Sequence, residues 1–306
     1  MNKVNIFIKS KKELDEFITS LTENPNNLDD LLDYFHNEYL EIKTTFTFFM
    51  EIYSEIELED EIENHLRELV FKFYLSYNTI NLIGNFKTQI YGNKLTLDDN
   101  SIAAILRIML EIKLKIFFIF ENLNNNINIT QFRFNIWKYC DIKSSKKQLI
   151  NFKQEKIQDE NLEKIYSLIK SNVEYQKISR ESKIAIKKGN WAKFHNGFLF
   201  PNSKANLSIL ASFWYSHFSN FIHTSFTSLN FKNNFISEKS RHQNKLIYYG
   251  MASFLGKEIL ILLNLIKNQA LDKTNSMYNL NLIDKFKIWN LEIQNNKIFE
   301  SELNDN

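Results

Sequence analysis

The sequence is poor in the residues that turn and end a chain. Its 306 residues hold 6 Gly and 2 Pro, where average usage would give roughly 20 and roughly 15. Sheet proteins need tight turns, and tight turns need the backbone freedom of Gly and the fixed φ of Pro. Scarcity of both excludes a turn-rich sandwich or barrel. It predicts long helices joined by a few Asn-rich loops. The single cysteine, Cys140, excludes an intramolecular disulfide framework and a multi-cysteine zinc site, and fits a reducing compartment. An excess of one charge is missing too: 38 Lys and Arg face 36 Asp and Glu, a net +2. That balance gives no reason to make nucleic acid the default partner of the whole chain. Residues 1–10 contain no apolar stretch of the kind a secretory signal needs. The expectation is a soluble, cytoplasmic protein.

What is present points to a sizeable core. Hydrophobic residues make up 44 % and aromatic residues 14 %, with 27 Phe, so ring packing should dominate it. Asn, Ile, Lys and Phe have AT-rich codons, so part of this bias belongs to the genome and not to the fold. Apolar spacing predicts a helix over 11–22, a break at Asn24-Pro25-Asn26, and a long helix over 27–53. The acidic run 55–63 opens a helix reaching toward Ile90, with Tyr91-Gly92-Asn93 as its stop. Further helices are expected over 101–122, 130–139 and 144–156, and then from a cap at Asp159. Two more are expected from 202 or 203 to 229 and over 238–268, with a weak one over 282–291. The stretch 174–202, with Gly189, Gly197 and Pro201, reads as the least regular.

The fold class is therefore all-α: an irregular bundle of long helices in one large domain, 1–306. A two-lobed version would have its seam at 172–202. The span 102–120 is nearly long enough to cross a membrane, but it carries Arg107, Glu111, Lys113 and Lys115, which would be costly in hydrocarbon. It reads as a core helix, as does 254–266 with Lys257 and Glu258.

Two polar stripes interrupt the most apolar helices. Arg107 and Glu111 are four residues apart and share a helix face. They are either an internal ion pair that fixes packing or part of a polar cleft, with Lys113 and Lys115 marking the face nearest water. Tyr215, Ser219 and His223 follow one another at four-residue intervals among Phe213, Trp214, Phe218, Phe221, Ile222 and Phe226. That places a phenol, a hydroxyl and an imidazole on one stripe, which is either a satisfied buried network or a site.

Other chemistries find no template. His217 and His223 are six apart, off a common helix face, so no metal is expected. His36, His65, His195 and His242 read as surface residues. There is no phosphate-binding Gly loop, no Gly-x-Ser-x-Gly elbow and no dinucleotide fingerprint, so no cofactor is expected either. The Arg-to-His spacing of helical toxin ribonucleases follows none of Arg67, Arg107, Arg133, Arg180 or Arg241. Cys140 has no local activator and reads as a small buried residue. The segment 177–193 holds Lys177, Arg180, Lys183, Lys187, Lys188 and Lys193 with Trp191 and Phe194. Cations interleaved with aromatics can hold a nucleotide or nucleic acid; a solvated loop, docked on the acidic run 55–63, is the plainer reading. A protein partner or a second copy of the chain is also left open, and a membrane is not expected.

The helix Leu106-Arg107-Ile108-Met109-Leu110-Glu111 and the later Tyr215-x-x-x-Ser219-x-x-x-His223-x-Ser225 segment resemble a family of helical bacterial proteins of unknown function. Its members share an Arg-x-x-x-Glu helix followed about a hundred residues on by such a segment. The resemblance covers roughly residues 101–229. It implies an all-α fold and a shared polar site, and it implies no reaction. The expectation is a pocket lined by Arg107, Glu111, Tyr215, Ser219 and His223. In it His223 would serve as general acid or base, Glu111 would orient it, and Arg107 would hold an anion such as a phosphate. A nucleotide or phosphodiester in a defence or toxin-like setting would suit those groups. The alternative is a non-catalytic interaction or scaffold protein in which the same residues are a structural network.

Overall fold

Pro25 opens the first of the described helices, where its missing N–H costs nothing and its fixed φ is already helical. In a computed structural model the described residues are 25–55, 61–85, 88–90, 94–96, 99–120, 126–145, 152–189 and 238–266. They form α1 (Pro25–Glu55), α2 (Glu61–Asn85), β1 (Thr88–Ile90), β2 (Lys94–Thr96), α3 (Asp99–Phe120) and α4 (Ile127–Ser145). α5 (Phe152–Ser171), α6 (Val173–Lys177), α7 (Arg180–Lys188) and α8 (Glu238–Ile266) follow. Among the described residues the fold is all-α, with one minimal antiparallel strand pair. The helices expected over 11–22, 202–229 and 282–291 lie outside the described residues.

Four expectations are corrected. α2 stops at Asn85, after Gly84, and does not reach Ile90. Ile90 pairs with Lys94 and Thr88 with Thr96, so Tyr91-Gly92-Asn93 connects two strands instead of ending a helix. Residues 127–145 form one helix, and the next runs unbroken from Phe152 through Asp159 to Ser171. Asp159 is therefore no cap; it lies on the exposed side of a helix that buries Leu162, Ile165 and Ile169. The stretch from 174 is regular as far as Gly189. Ser179 caps α7 by accepting from the Ser182 N–H, and Gly189 ends it at φ 68° with its N–H directed to the Ala185 and Ile186 carbonyls.

The chain divides into two compact units. The first gathers α1, the α2 residues from Val70, the α3 residues to Glu111, and α8. Its core is aromatic and close-packed: Tyr39, Ile42, Phe46 and Phe49 recur at helical spacing along α1, and all are buried. α8 can approach them because position 256 is Gly. A Cβ there would lie 2.7 Å from Ile42 Cγ2 and 3.0 Å from Tyr77 Cε2. The rings of Tyr39 and Tyr77 stack at 4.3 Å with 6° between their planes. Each phenol donates to the other's backbone: Tyr39 Oη–H to the Tyr77 carbonyl, and Tyr77 Oη–H to the Tyr39 carbonyl at 3.2 Å. Lys257 of α8 reaches Glu38 of α1 at 2.6 Å, with side chains 12 % and 15 % exposed.

The second unit gathers α2 as far as Leu69, α3 from Ile112, and α4 to α7. Arg133 is buried and its Nη1–H donates to the Phe118 carbonyl at 3.1 Å, in the last turn of α3. A cation there satisfies a carbonyl that the helix itself leaves without a partner, and it meets the negative end of the helix dipole. Lys138 of α4 bonds Glu61, so that carboxylate of the acidic run docks on α4 and not on 177–193. His65 stacks on Trp137 at 4.3 Å.

Candidate functional site

α3 owes its position to its apolar residues. Ile102, Ala103, Leu106, Met109 and Leu110 are buried, and they leave one edge of the helix for polar groups. Arg107 and Glu111 occupy that edge. Arg107 Nε–H donates to Glu111 Oε1 at 3.3 Å, with the side chains 23 % and 40 % exposed. Ile108 beside them is exposed. The pair is thus not sunk in the core, although the helix around it reads as apolar on nearly every side. Lys113 behaves in the opposite way to expectation. It is buried, with its ammonium 5.0 Å from the Phe117 ring centroid. Four residues of separation let its stem lie along apolar surface while the charge meets an aromatic face. Lys115 is half-buried.

The second stripe, Tyr215, Ser219 and His223, lies outside the described residues. So do His195, His217, His242, Trp191, Lys193 and Phe194. His36 and His65 are half-buried against aromatic rings and are not surface residues: His36 packs on Tyr249 and His65 on Trp137. Cys140 is buried, and burial pushes its thiol up to about 12. Lys143 lowers that value and Asp141 raises it. A thiol so rarely ionised is a poor nucleophile at neutral pH. Among the described residues no group of three His, Cys, Asp or Glu converges as a metal site.

A different cluster forms where α4, α5, α6 and α7 meet. Tyr139 and Tyr166 pack at 5.3 Å, and the Tyr166 and Tyr175 hydroxyls lie 3.4 Å apart. Three ammoniums sit over these rings: Lys143 on Tyr139 at 5.2 Å, Lys170 on Tyr166 at 5.0 Å and Lys183 on Tyr175 at 5.0 Å. Lys143 also donates to the Tyr139 hydroxyl at 3.0 Å and to the Lys187 carbonyl at 2.5 Å, tying α4 to the end of α7. Burial and the neighbouring Tyr166 hydroxyl push the Tyr175 phenol up to about 12, so it stays protonated. Of the basic segment, Lys177 is engaged with Glu174 at 2.6 Å. Sequence reading found Lys183 and missed Tyr139, Tyr166, Tyr175, Lys143 and Lys170. The signal was present as a repeated Tyr-x-x-x-Lys, at 139/143 and 166/170, which places ring and cation on one helix face.

Among the described residues one helical stretch, Lys245–Leu263, is long and apolar enough to cross a membrane by length and composition, and 72 % of it is buried within the protein. No family model, no curated protein and no solved structure matches the chain.

Proposed function

We propose that the chain binds or acts on a nucleotide or phosphodiester at a polar inter-helix site. In this reading Arg107 holds the phosphate, Glu111 orients, and Tyr215, Ser219 and His223 complete the site with His223 as general acid or base. A bacterial defence or toxin-like setting suits such a protein. The observation that carries the reading is the placement of the Arg107/Glu111 pair on the partly exposed edge of α3. An i,i+4 pair of this kind, by its own hydrogen bond, stabilises a helix by about 0.3–0.5 kcal/mol. A planar guanidinium held by a carboxylate at a partly exposed edge is preset for an anion. The test compares Arg107→Ala and His223→Ala with the parent chain in melting temperature and in binding of labelled nucleotides. The reading expects melting within about 2 °C of the parent and lost binding. A large drop in melting temperature for both would assign the residues to packing instead.

A second reading, a non-catalytic interaction protein, is favoured by the outer face of α2. Phe71, Leu75 and Leu82 follow one helical stripe and are 47 %, 47 % and 59 % exposed. Retained nucleotide binding in Phe71→Ser/Leu75→Ser, with loss of a co-purifying protein, would separate this role from the first.

A further inference from the structure

The charge of the chain is unevenly placed. Residues 127–189 carry 14 Lys and Arg against 7 Asp and Glu, a net +7, so with +2 overall the remaining residues carry −5. Part of the excess lies on the helices of the tyrosine cluster, where Asp159, Glu160 and Glu163 of α5 are exposed carboxylates. Lys170, Arg180, Lys187 and Lys188 are exposed and Lys183 is half-buried. Among the described residues none of these five has a carboxylate within ion-pair distance; Lys170 and Lys183 rest on tyrosine rings instead. A ring holds an ammonium in place without neutralising it, so the surface keeps its positive charge. Tyr166 and Tyr175 are half-buried and joined through their hydroxyls. Ile184 is exposed at helical spacing between Arg180 and Lys188.

We propose that this face of α5 to α7 binds single-stranded nucleic acid, with Lys170, Arg180, Lys183, Lys187 and Lys188 on phosphates and Tyr166 and Tyr175 against bases. The proposal uses residues of the second unit alone and does not rest on the Arg107 reading. Ammoniums alone would suit any polyanion. Rings interleaved with them favour a strand whose bases are unpaired, because a base face can take the place of the lysine on the ring. Duplex hides those faces, and a lipid headgroup has none. Glu174 is neutralised by Lys177, which leaves Glu181 as the exposed carboxylate on α7.

The experiment is fluorescence anisotropy on the full chain with labelled oligo-dT and oligo-U of about 20 nucleotides. A duplex of equal length and vesicles of mixed phosphatidylserine and phosphatidylcholine are measured in parallel. Five phosphate contacts at about −0.7 each give a slope near −3.5 in log K against log salt, or about a hundredfold loss between about 50 and about 200 mM. Lys170→Gln/Lys183→Gln/Lys188→Gln should weaken binding about tenfold or more and cut the slope to about −1.4. Tyr175→Ala should weaken it about fivefold or more, and Tyr175→Phe should leave it unchanged, because stacking needs the ring and not the hydroxyl. Circular dichroism and melting of each variant separate lost binding from lost fold. Three outcomes overturn the proposal: no binding of either oligonucleotide at low salt, equal affinity for duplex, or vesicle binding without oligonucleotide binding. Undiminished affinity in the folded triple variant does so as well.

Discussion

Two glycines on one helix should respond in opposite ways to the same methyl group. Gly250 and Gly256 both lie inside α8, so Gly→Ala at either position gains helix propensity, about 0.8–1.0 kcal/mol. At 250 the new Cβ meets only the rim of Phe35 at 3.5 Å, an ordinary contact. At 256 it would stand 2.7 Å from Ile42 Cγ2, 3.0 Å from Tyr77 Cε2 and 3.4 Å from Phe46 Cε2. None of these atoms can yield cheaply. Ile42 is β-branched and fully buried, and Tyr77 is pinned by its stack and hydrogen bonds with Tyr39. Overpacking of this kind costs about 1–3 kcal/mol. Gly250→Ala should therefore gain about 0.4–1 kcal/mol, while Gly256→Ala should be neutral or lose up to about 2 kcal/mol once the propensity gain is subtracted. The difference between the two variants cancels propensity and isolates the packing cost. Guanidinium denaturation followed by circular dichroism measures it. Ile42→Leu removes the nearer methyl, so in that background the gap should narrow. Equal stabilities for the two alanine variants would refute the close approach of α8 to α1.

Three further outcomes follow from the packing. Arg133→Met should cost about 1.5–3 kcal/mol in a urea melt, because the Phe118 carbonyl loses a charged donor in a buried place. Glu38→Gln and Lys257→Met should each destabilise by about 1–3 kcal/mol, and the double variant by less than their sum, since both changes remove the same 2.6 Å contact. Alkali should unfold the protein. Burial raises the Cys140 thiol from 9.0 to about 12 and raises the Tyr39 and Tyr77 phenols well above their ordinary value. Groups raised in the folded state contribute their stability in full below their unfolded values and lose it as pH climbs through the folded ones. Denaturation midpoints should thus be flat from neutrality to about pH 9 and fall above it. Thiol labelling at pH 8 should track unfolding and not precede it. Fast labelling of the folded chain, or a midpoint unchanged at about pH 11, would contradict the burial of these groups.

The helices were legible because the physics behind them is local. Asn24-Pro25-Asn26 marks a break, Leu and Phe recur at three and four residues, and the near-absence of Gly leaves few other folds open. The boundaries that failed were set by longer-range effects. Asp159 has the chemistry of a cap, but the helix already begins at Phe152 and passes through it. Residues 88–90 and 94–96 look in sequence like the end of a helix, and only their pairing with each other makes them strands. At the candidate site, the four-residue spacing of Arg107 and Glu111 foretold their hydrogen bond. Spacing could not say that their edge of α3 is open to water, since that depends on what packs on the helix. The same reasoning put Lys113 near water, where the Phe117 ring instead takes its charge inward. The tyrosine cluster draws its rings from three helices, and that convergence is a property of packing.

The reciprocal Tyr39/Tyr77 pair also bears on motion. Two rings parallel to within 6° at 4.3 Å cannot turn about their Cβ–Cγ axes one at a time. Either ring, while turning, would sweep its edge through the other. Rotation must wait until α1 and α2 draw apart locally, which strains both phenol-to-carbonyl bonds together. The two edges of each ring should therefore give separate proton resonances, and their rate of exchange would time the breathing of the first unit's core.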